Sequence, residues 1–305
     1  PHWRFKLIDE EVTWVDLIRG KCTYDMRSLS DPVIMREDGR PIYTLASVVD
    51  DIDHEITHII RGEDHVTNSA AQIQLFKALG FQPPSLGHLS LIAGSEGEGL
   101  SKRLGSLSLG ELKIEGLESN ALSSLLAKLG TSDPITFIQD IEGLIKDFDL
   151  NKFSRNTAKF DMKDLYLLNK KSIQSMSFEE AIKRLKSLGL DNINEEFWNT
   201  ISGNLDNFKE TKIWWDVVYG QINPIINNRN LIDIAIKTFP DKTLDHLTWG
   251  TWCKIISSES DFKGKELFIS LRKALTGYDY GPELSKLLPM IGKEKILLRL
   301  SGNIS

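Results

Sequence analysis

Ser101, Lys102 and Arg103 place a hydroxyl and two adjacent cations within GEGLSKRLGS, residues 97–106, which also holds three glycines. Glycine frees the backbone and cations attract phosphate. Three readings compete: a phosphate cradle, a contact to a nucleic-acid backbone, or an ordinary solvated loop. Spacing tests the first. GSEGEG, Gly94–Gly99, has the two glycines of a P-loop. A P-loop then needs Lys and Ser or Thr directly after the second glycine, where this chain has Leu100 and Ser101. A G-x-G-x-x-G reading also fails. What survives is a basic, glycine-flexible loop after the last strand of a predicted βαβ unit.

Two other polar clusters fall at predicted strand ends. LASVVDD, Leu45–Asp51, reads as an apolar β-branched run that stops on Asp50 and Asp51. EITHIIRGED, Glu55–Asp64, runs into Arg61, Gly62, Glu63 and Asp64, with His65 next. In open parallel sheets ligands bind beyond the carboxyl ends of the strands. Three polar clusters at that edge favour a site, although any one alone reads as a solvated loop. Arg61 taken singly would pair with Asp50 or Asp64, or would grip a carboxylate or phosphate with its planar fork. His54 and His58 stand four apart among acids, but on a strand and turn that spacing carries no shared face. With no HExxH-like pattern a dedicated metal site is not expected.

The elements that must position these residues follow from pattern. Trp3–Leu7 and Val12–Leu17 are β-like, with turns at Ile18-Arg19-Gly20 and Glu37-Asp38-Gly39. TNSAAQIQLFKALG, Thr67–Gly80, predicts a helix: cap candidates at Thr67 to Ser69, apolar Ile73, Phe76 and Leu79, and a Gly80 stop. GHLSLIAG, Gly87–Gly94, predicts a further strand. Strand, helix and strand in this order give a parallel pair. From residue 107 the pattern is helical, including 118–130, 160–173, 177–190, 265–277 and 282–300. Ser177 and Glu180 have capping-box spacing. No internal repeat is visible.

The length of 305 residues predicts two or three domains. A net charge of −6 argues against indiscriminate nucleic-acid binding but allows specific contacts by local Lys and Arg. No apolar run reaches membrane-spanning length. Two distant cysteines, Cys22 and Cys253, form neither a disulfide framework nor a zinc cluster and fit a reducing compartment. The first residue, Pro1, gives the impression of a chain that begins partway through a protein.

The loop then acquires a context. Leu100-Ser101-Lys102-Arg103 resembles the second signature of class I aminoacyl-tRNA synthetases, in its glutamyl form K-[LI]-S-K-R. Pro41–Gly80 looks throughout like the second Rossmann half of bacterial glutamyl-tRNA synthetases. His2–Leu7 resembles the end of their acceptor-binding insertion, and Leu271–Leu300 their anticodon-binding segment. The resemblance covers the whole chain. It implies an α/β partial Rossmann fold (its second half) followed by an all-α stem-contact and anticodon-binding region. Residues 1–40 would end the acceptor-binding insertion, 41–94 form the second Rossmann half, 95–175 carry the signature loop and stem contacts, and 176–305 form the anticodon domain.

The activity so implied is cytoplasmic ligation of glutamate to tRNA-Glu through a glutamyl-adenylate. ATP is a substrate, magnesium accompanies it, and neither zinc nor a membrane is involved; the enzyme would be a monomer. Tyr43, Ser47 and Arg61 would bind glutamate, Arg61 through a carboxylate, with Ser47 where some members carry Asn. Asp64, His65, Leu91, Ile92 and Lys102 would line the ATP site. Ser101, Lys102 and Arg103 would be catalytic: a mobile cation that meets the departing pyrophosphate stabilises the transition state selectively. The first Lys of the signature is Gly99 here, and nothing matches the HIGH motif, so the 305 residues alone are expected to be inactive. A non-catalytic tRNA-binding module is the alternative. Helices over 176–305 disfavour the glutaminyl enzymes, with β-barrels there, and the glutamyl-queuosine enzymes, with no such domain. Asn204 falls where strictly discriminating members can carry Arg, which points to additional charging of tRNA-Gln.

Overall fold

The computed structural model describes residues 2–94, 96–97 and 108–305. Ser101, Lys102 and Arg103, with the Gly99 departure, lie outside the described residues. The chain forms two compact units. One takes in the described residues up to Leu109 together with Ser123–Asp164, and the other Gly110–Leu122 with Leu165–Ser305.

In the first unit, β1 (Trp3–Arg4) pairs antiparallel with β4 (Val33–Met35), and β2 (Glu11–Asp16) forms a hairpin with β3 (Gly20–Asp25). Helix α1 (Tyr43–Asp53) leads to β5 (His58–Gly62), α2 (Val66–Ala78) and β6 (Ser85–Leu89). Strands β5 and β6 are parallel, with Arg61 opposite His88 in the register. This is the expected strand–helix–strand unit, and α2 falls where its periodicity placed it.

Leu45–Asp51 is not a strand. It lies within α1, so Asp50 and Asp51 are helical and do not end a strand. The β-branched residues favoured the strand reading, but Leu45, Val48 and Ile52 recur at helical spacing. Val48 is fully buried with Leu75 and Phe76 of α2, and Leu45 and Ile52 pack on them. That shared face outweighs the β preference of valine. The stretch Gly87–Gly94 is also two pieces: β6 ends at Leu89, and β7 (Ile92–Gly94) pairs in parallel with β8 (Ala158–Phe160).

A second cluster of the unit joins Val12, Met26, Leu86, Ala70 and Ile73 beneath the hairpin and α2. Gln74 of α2 is buried and satisfied: its Oε1 accepts from Ile8 N and its Nε2 donates to Ile8 O, each at 3.0 Å. Such pairing removes the penalty of burying an amide.

Along the chain follow α3 (Leu109–Glu115), α4 (Ser119–Lys128), α5 (Ile141–Asp147), α6 (Met162–Ser175) and α7 (Phe178–Ser187). The capping box of α7 is formed by Ser177 and Glu180 as the spacing predicts. Helices α8 (Glu195–Ile201), α9 (Thr211–Val218), α10 (Arg229–Lys237), α11 (Thr248–Ser258) and α12 (Gly264–Thr276) then surround one apolar core. Residues 282–300 are two helices, α13 (Leu284–Ile291) and α14 (Lys293–Leu300), parted by Gly292 at φ +82°. Trp214 and Trp252 are fully buried in this core. No described helix is long and apolar enough to cross a membrane.

Candidate functional site

Arg61 is the penultimate residue of β5, so its side chain emerges at the carboxyl end of the parallel pair. Neither Asp50 nor Asp64 pairs with it. Its Nη1 donates to Tyr43 Oη at 2.9 Å. Its Nη2 donates to Ser69 Oγ at 2.6 Å and to Gln72 Oε1 at 2.7 Å, and its Nε faces His88 Nε2 at 3.5 Å. Gln72 Nε2 in turn donates to Ser47 Oγ at 2.8 Å. Two helices therefore converge on one guanidinium: α1 supplies Tyr43 and Ser47, α2 supplies Ser69 and Gln72.

Counting donors gives the chemistry. A guanidinium has five N–H bonds. Those on Nε and Nη2, and one on Nη1, meet partners in the protein. The other Nη1–H has no partner among the described residues. Tyr43 Oη accepts from Arg61, which leaves its own proton to donate. Tyr43 is half exposed and Arg61 partly buried, so the pair lies at the surface of the unit. Two donors about 3 Å apart, one on a cation, are a bidentate receptor for a carboxylate or phosphate.

Behind Arg61 the site is closed to the surface. His88 and Asp16 have fully buried side chains. Asp16 Oδ2 stands 2.5 Å from His88 Nδ1, and Asp16 Oδ1 accepts from the backbone N–H of Ile18, Arg19 and His88 at 3.0–3.1 Å. Burial pushes the Asp16 carboxyl up, but these hydrogen bonds overcome it and hold it below the usual carboxylate range. Burial also pushes the His88 imidazole down, aided by the nearby Arg61 and Arg19 charges. Burial raises the Asp51 carboxyl, with Arg61 pulling the other way.

Asp64 and His65 follow β5 in a short 3₁₀ turn. The His65 ring lies 5.4 Å from the Tyr43 ring, and its Nδ1 is buried without a hydrogen-bond partner among the described residues. Asp64 folds back over Gly62, where a Cβ would stand 2.5 Å from Asp64 Oδ1 and 3.3 Å from Leu91 Cδ2. The absence of a side chain at Gly62 thus sets the path of this turn. Arg19 pairs with Glu63 at 2.5 Å, and Glu63 Oε1 accepts from Leu91 N at 3.4 Å. Leu91, just before β7, and Ile92, its first residue, are exposed. Among the described residues no three His, Cys, Asp or Glu side chains gather as a metal-ligand set.

Tyr43, Ser47 and Arg61 are therefore brought into one network, with His65 against Tyr43. Asn204 belongs to the other unit and is exposed in the turn Ser202–Asn204. Sequence reasoning missed Ser69, Gln72, His88 and Asp16. The first two were legible only as a polar face of α2 beside Arg61; the last two are 72 residues apart and nothing local marks them.

A parallel strand pair with a guanidinium at its carboxyl edge, followed by an all-helical region, is the arrangement of a class I aminoacyl-tRNA synthetase. The family model for the catalytic domain of class I tRNA synthetases (E and Q) matches residues 2–167, and that for an anticodon binding domain matches 236–304. Glutamate–tRNA ligase 1 of Maricaulis maris is 45% identical over 99% of this chain and 68% of its own length. Glutamate–tRNA ligase 2 of Hyphomonas neptunium is 46% identical over the same shares. A glutamate tRNA ligase from Elizabethkingia meningosepticum, solved in complex with its amino acid, superposes with a TM-score of 0.81 at 25% identity, covering 98% of this chain and 67% of that one. The chain belongs to the glutamate–tRNA ligase family.

Proposed function

We propose that the Arg61–Tyr43 pair binds a carboxylate of glutamate, for transfer through an adenylate to tRNA-Glu. The observation that carries this reading is the donor count: one Nη1–H and the Tyr43 O–H are left without a partner among the described residues, while the other Arg61 donors are held by Tyr43, Ser69, Gln72 and His88. Ser47 supports the grip through Gln72. Asp64, His65, Leu91 and Ile92 form the ATP side, a reading supported by the unpartnered His65 Nδ1 and by the turn over Gly62. ATP enters with its magnesium, and Ser101, Lys102 and Arg103 stabilise the departing pyrophosphate. Residues 1–40, 41–94, 95–175 and 176–305 act in turn as the end of the acceptor insertion, the second Rossmann half, the loop and stem region, and the anticodon domain. The reaction takes place in the cytoplasm, on a monomer. The test is the glutamate dependence of tRNA-Glu charging by the full-length protein carrying Arg61→Leu. A raised KM for glutamate with an unchanged KM for ATP supports the assignment; an unchanged KM for glutamate removes it.

Two finer readings accompany this one. A polypeptide of these 305 residues and no others forms no adenylate, because none of its residues matches the HIGH signature and Gly99 replaces a signature cation. It retains binding to tRNA through its helical unit. Pyrophosphate exchange above background by that polypeptide would refute the statement. The full-length protein also charges tRNA-Gln: Asn204, neutral and exposed, carries no guanidinium to reject an anticodon base. Absence of Glu-tRNA-Gln in a charging assay would refute that.

A further inference from the structure

His88 lies behind the glutamate grip and touches none of its outward donors. Its tautomer follows from its surroundings. Ionised Asp16 is acceptor-only, and its Oδ1 is taken up by three backbone N–H groups. Oδ2 faces His88 Nδ1 at 2.5 Å, so that nitrogen carries the ring proton. Burial, with the Arg61 and Arg19 charges, disfavours a second proton on the ring and outweighs the pull of Asp16. Nε2 is therefore a bare acceptor. It lies 2.8 Å from Ser69 Oγ and 3.5 Å from Arg61 Nε.

Ser69 has one proton and two possible acceptors, His88 Nε2 at 2.8 Å and His65 O at 3.1 Å. Giving it to His88 leaves the Ser69 lone pairs for Arg61 Nη2 at 2.6 Å. Every hydrogen bond then runs one way, from Arg61 through Ser69 and His88 to Asp16. The parallel register supports the order, since Arg61 and His88 are direct partners. We infer that His88, locked as the Nδ1–H tautomer by Asp16, is a positioning residue that fixes the Arg61 guanidinium with one Nη1–H turned outward to the substrate carboxylate. This inference rests on the assignment of Arg61 to glutamate.

The reverse tautomer would present Nε2–H to a guanidinium and a hydroxyl that already donates. The Arg61 contact would be lost, Ser69 could accept from Nε2–H only by turning its own proton to His65 O at 3.1 Å, and the fork would turn. In Asp16→Asn, Oδ1 keeps its three backbone donors, so the new amide N–H₂ faces His88 Nδ1 and drives the proton to Nε2. His88→Asn keeps a donor near Asp16 but has no atom at the Nε2 position. His88→Gln restores an acceptor there.

The experiment combines ¹⁵N-histidine NMR with glutamate kinetics on the full-length protein. In the unmutated protein His88 is expected to be protonated on Nδ1 and bare on Nε2 at about pH 7. Asp16→Asn is expected to invert that signature and raise the KM for glutamate about tenfold, with the KM for ATP unchanged. His88→Asn is expected to raise it similarly, and His88→Gln to return it to within about threefold of the unmutated value. A proton on Nε2 in the unmutated protein would overturn the inference. So would inversion by Asp16→Asn with no change in glutamate KM, or a His88→Gln variant no better than His88→Asn. If Asp16→Asn does not fold, the unmutated signature and the two His88 variants still decide. If Arg61→Leu leaves the glutamate KM unchanged, the site assignment itself fails; if Arg61→Leu raises it and His88→Asn does not, only the positioning role fails.

Discussion

Arg61 and His88 are register partners in a parallel strand pair, and the same two side chains meet at 3.5 Å through Nε and Nε2. The backbone ladder thus delivers a cation and a neutral acceptor side by side at the carboxyl edge. The site needs no loop to bring them together.

Tyr43 separates the hydroxyl from the ring. Its Oη accepts from Arg61 at 2.9 Å, and its ring lies 5.4 Å from His65. Tyr43→Phe keeps the ring and removes one outward donor. The expected result is a KM for glutamate raised about tenfold, with the KM for ATP near its original value. Steady-state charging of tRNA-Glu by the full-length protein checks it.

Gly62 tests the ATP side. An added Cβ would sit 2.5 Å from Asp64 Oδ1, so Asp64 must move, although the backbone of Gly62 at φ −69° is ordinary. Gly62→Ala is expected to cost about 0.5 kcal/mol of stability or less, because the atom it displaces is the tip of the exposed Asp64 side chain. It is also expected to raise the KM for ATP more than that for glutamate. Equal effects on both would separate Asp64 from the nucleotide.

The helical core makes a prediction of stability alone. Gly281 has φ +119°, and a Cβ there would stand 1.9 Å from Trp214 Cη2. Trp214 is buried between Tyr278 and Tyr280, with ring centroids at 5.8 and 6.1 Å. Gly281→Ala is expected to destabilise by about 3 kcal/mol, from strain and overlap together. Gly80→Ala, also at positive φ but with open space, is expected to cost only about 1 kcal/mol. Urea midpoints of the two variants give the comparison.

Acid should weaken the first unit in two stages. His88 is held below the ordinary imidazole value in the folded chain, mainly by burial. Above the unfolded value of about 6.5 both states are neutral there, and no penalty exists. As pH falls below that value the unfolded chain binds the proton first, so stability declines until the folded value is passed. Asp16, despite burial, is held low by its hydrogen bonds. Its contribution is present above the unfolded carboxylate value and lost as pH falls through the folded one. His88→Gln is expected to remove the first stage and leave the second. Denaturant midpoints across the acid range would show this, and an unchanged first stage would assign it to another group.

How much of this was legible in the sequence depended on locality. Arg61 at the end of an apolar run, the helix α2 and the capping box at Ser177 all lie in patterns a few residues long. The helix α1 was misread because β-branched Val48 and Val49 outweighed the helical recurrence of Leu45, Val48 and Ile52. Burial against Leu75 and Phe76 decided it, and that contact is tertiary. The single helix expected over 282–300 breaks at Gly292, whose positive φ a periodicity count does not register. Asp16 and His88 fall within Val12–Leu17 and Gly87–Gly94, segments whose pattern gives only strand character. Only the fold shows that an aspartate 72 residues away shares its carboxylate with that ring.

The central claim is that Arg61 and Tyr43 hold the substrate carboxylate. The most direct measurement is the glutamate KM of full-length protein carrying Arg61→Leu, with the ATP KM taken in parallel. A rise of about a hundredfold is expected for glutamate, from the loss of a charge-assisted hydrogen bond to an anion, with little change for ATP. A glutamate KM equal to that of the unmutated protein would contradict it.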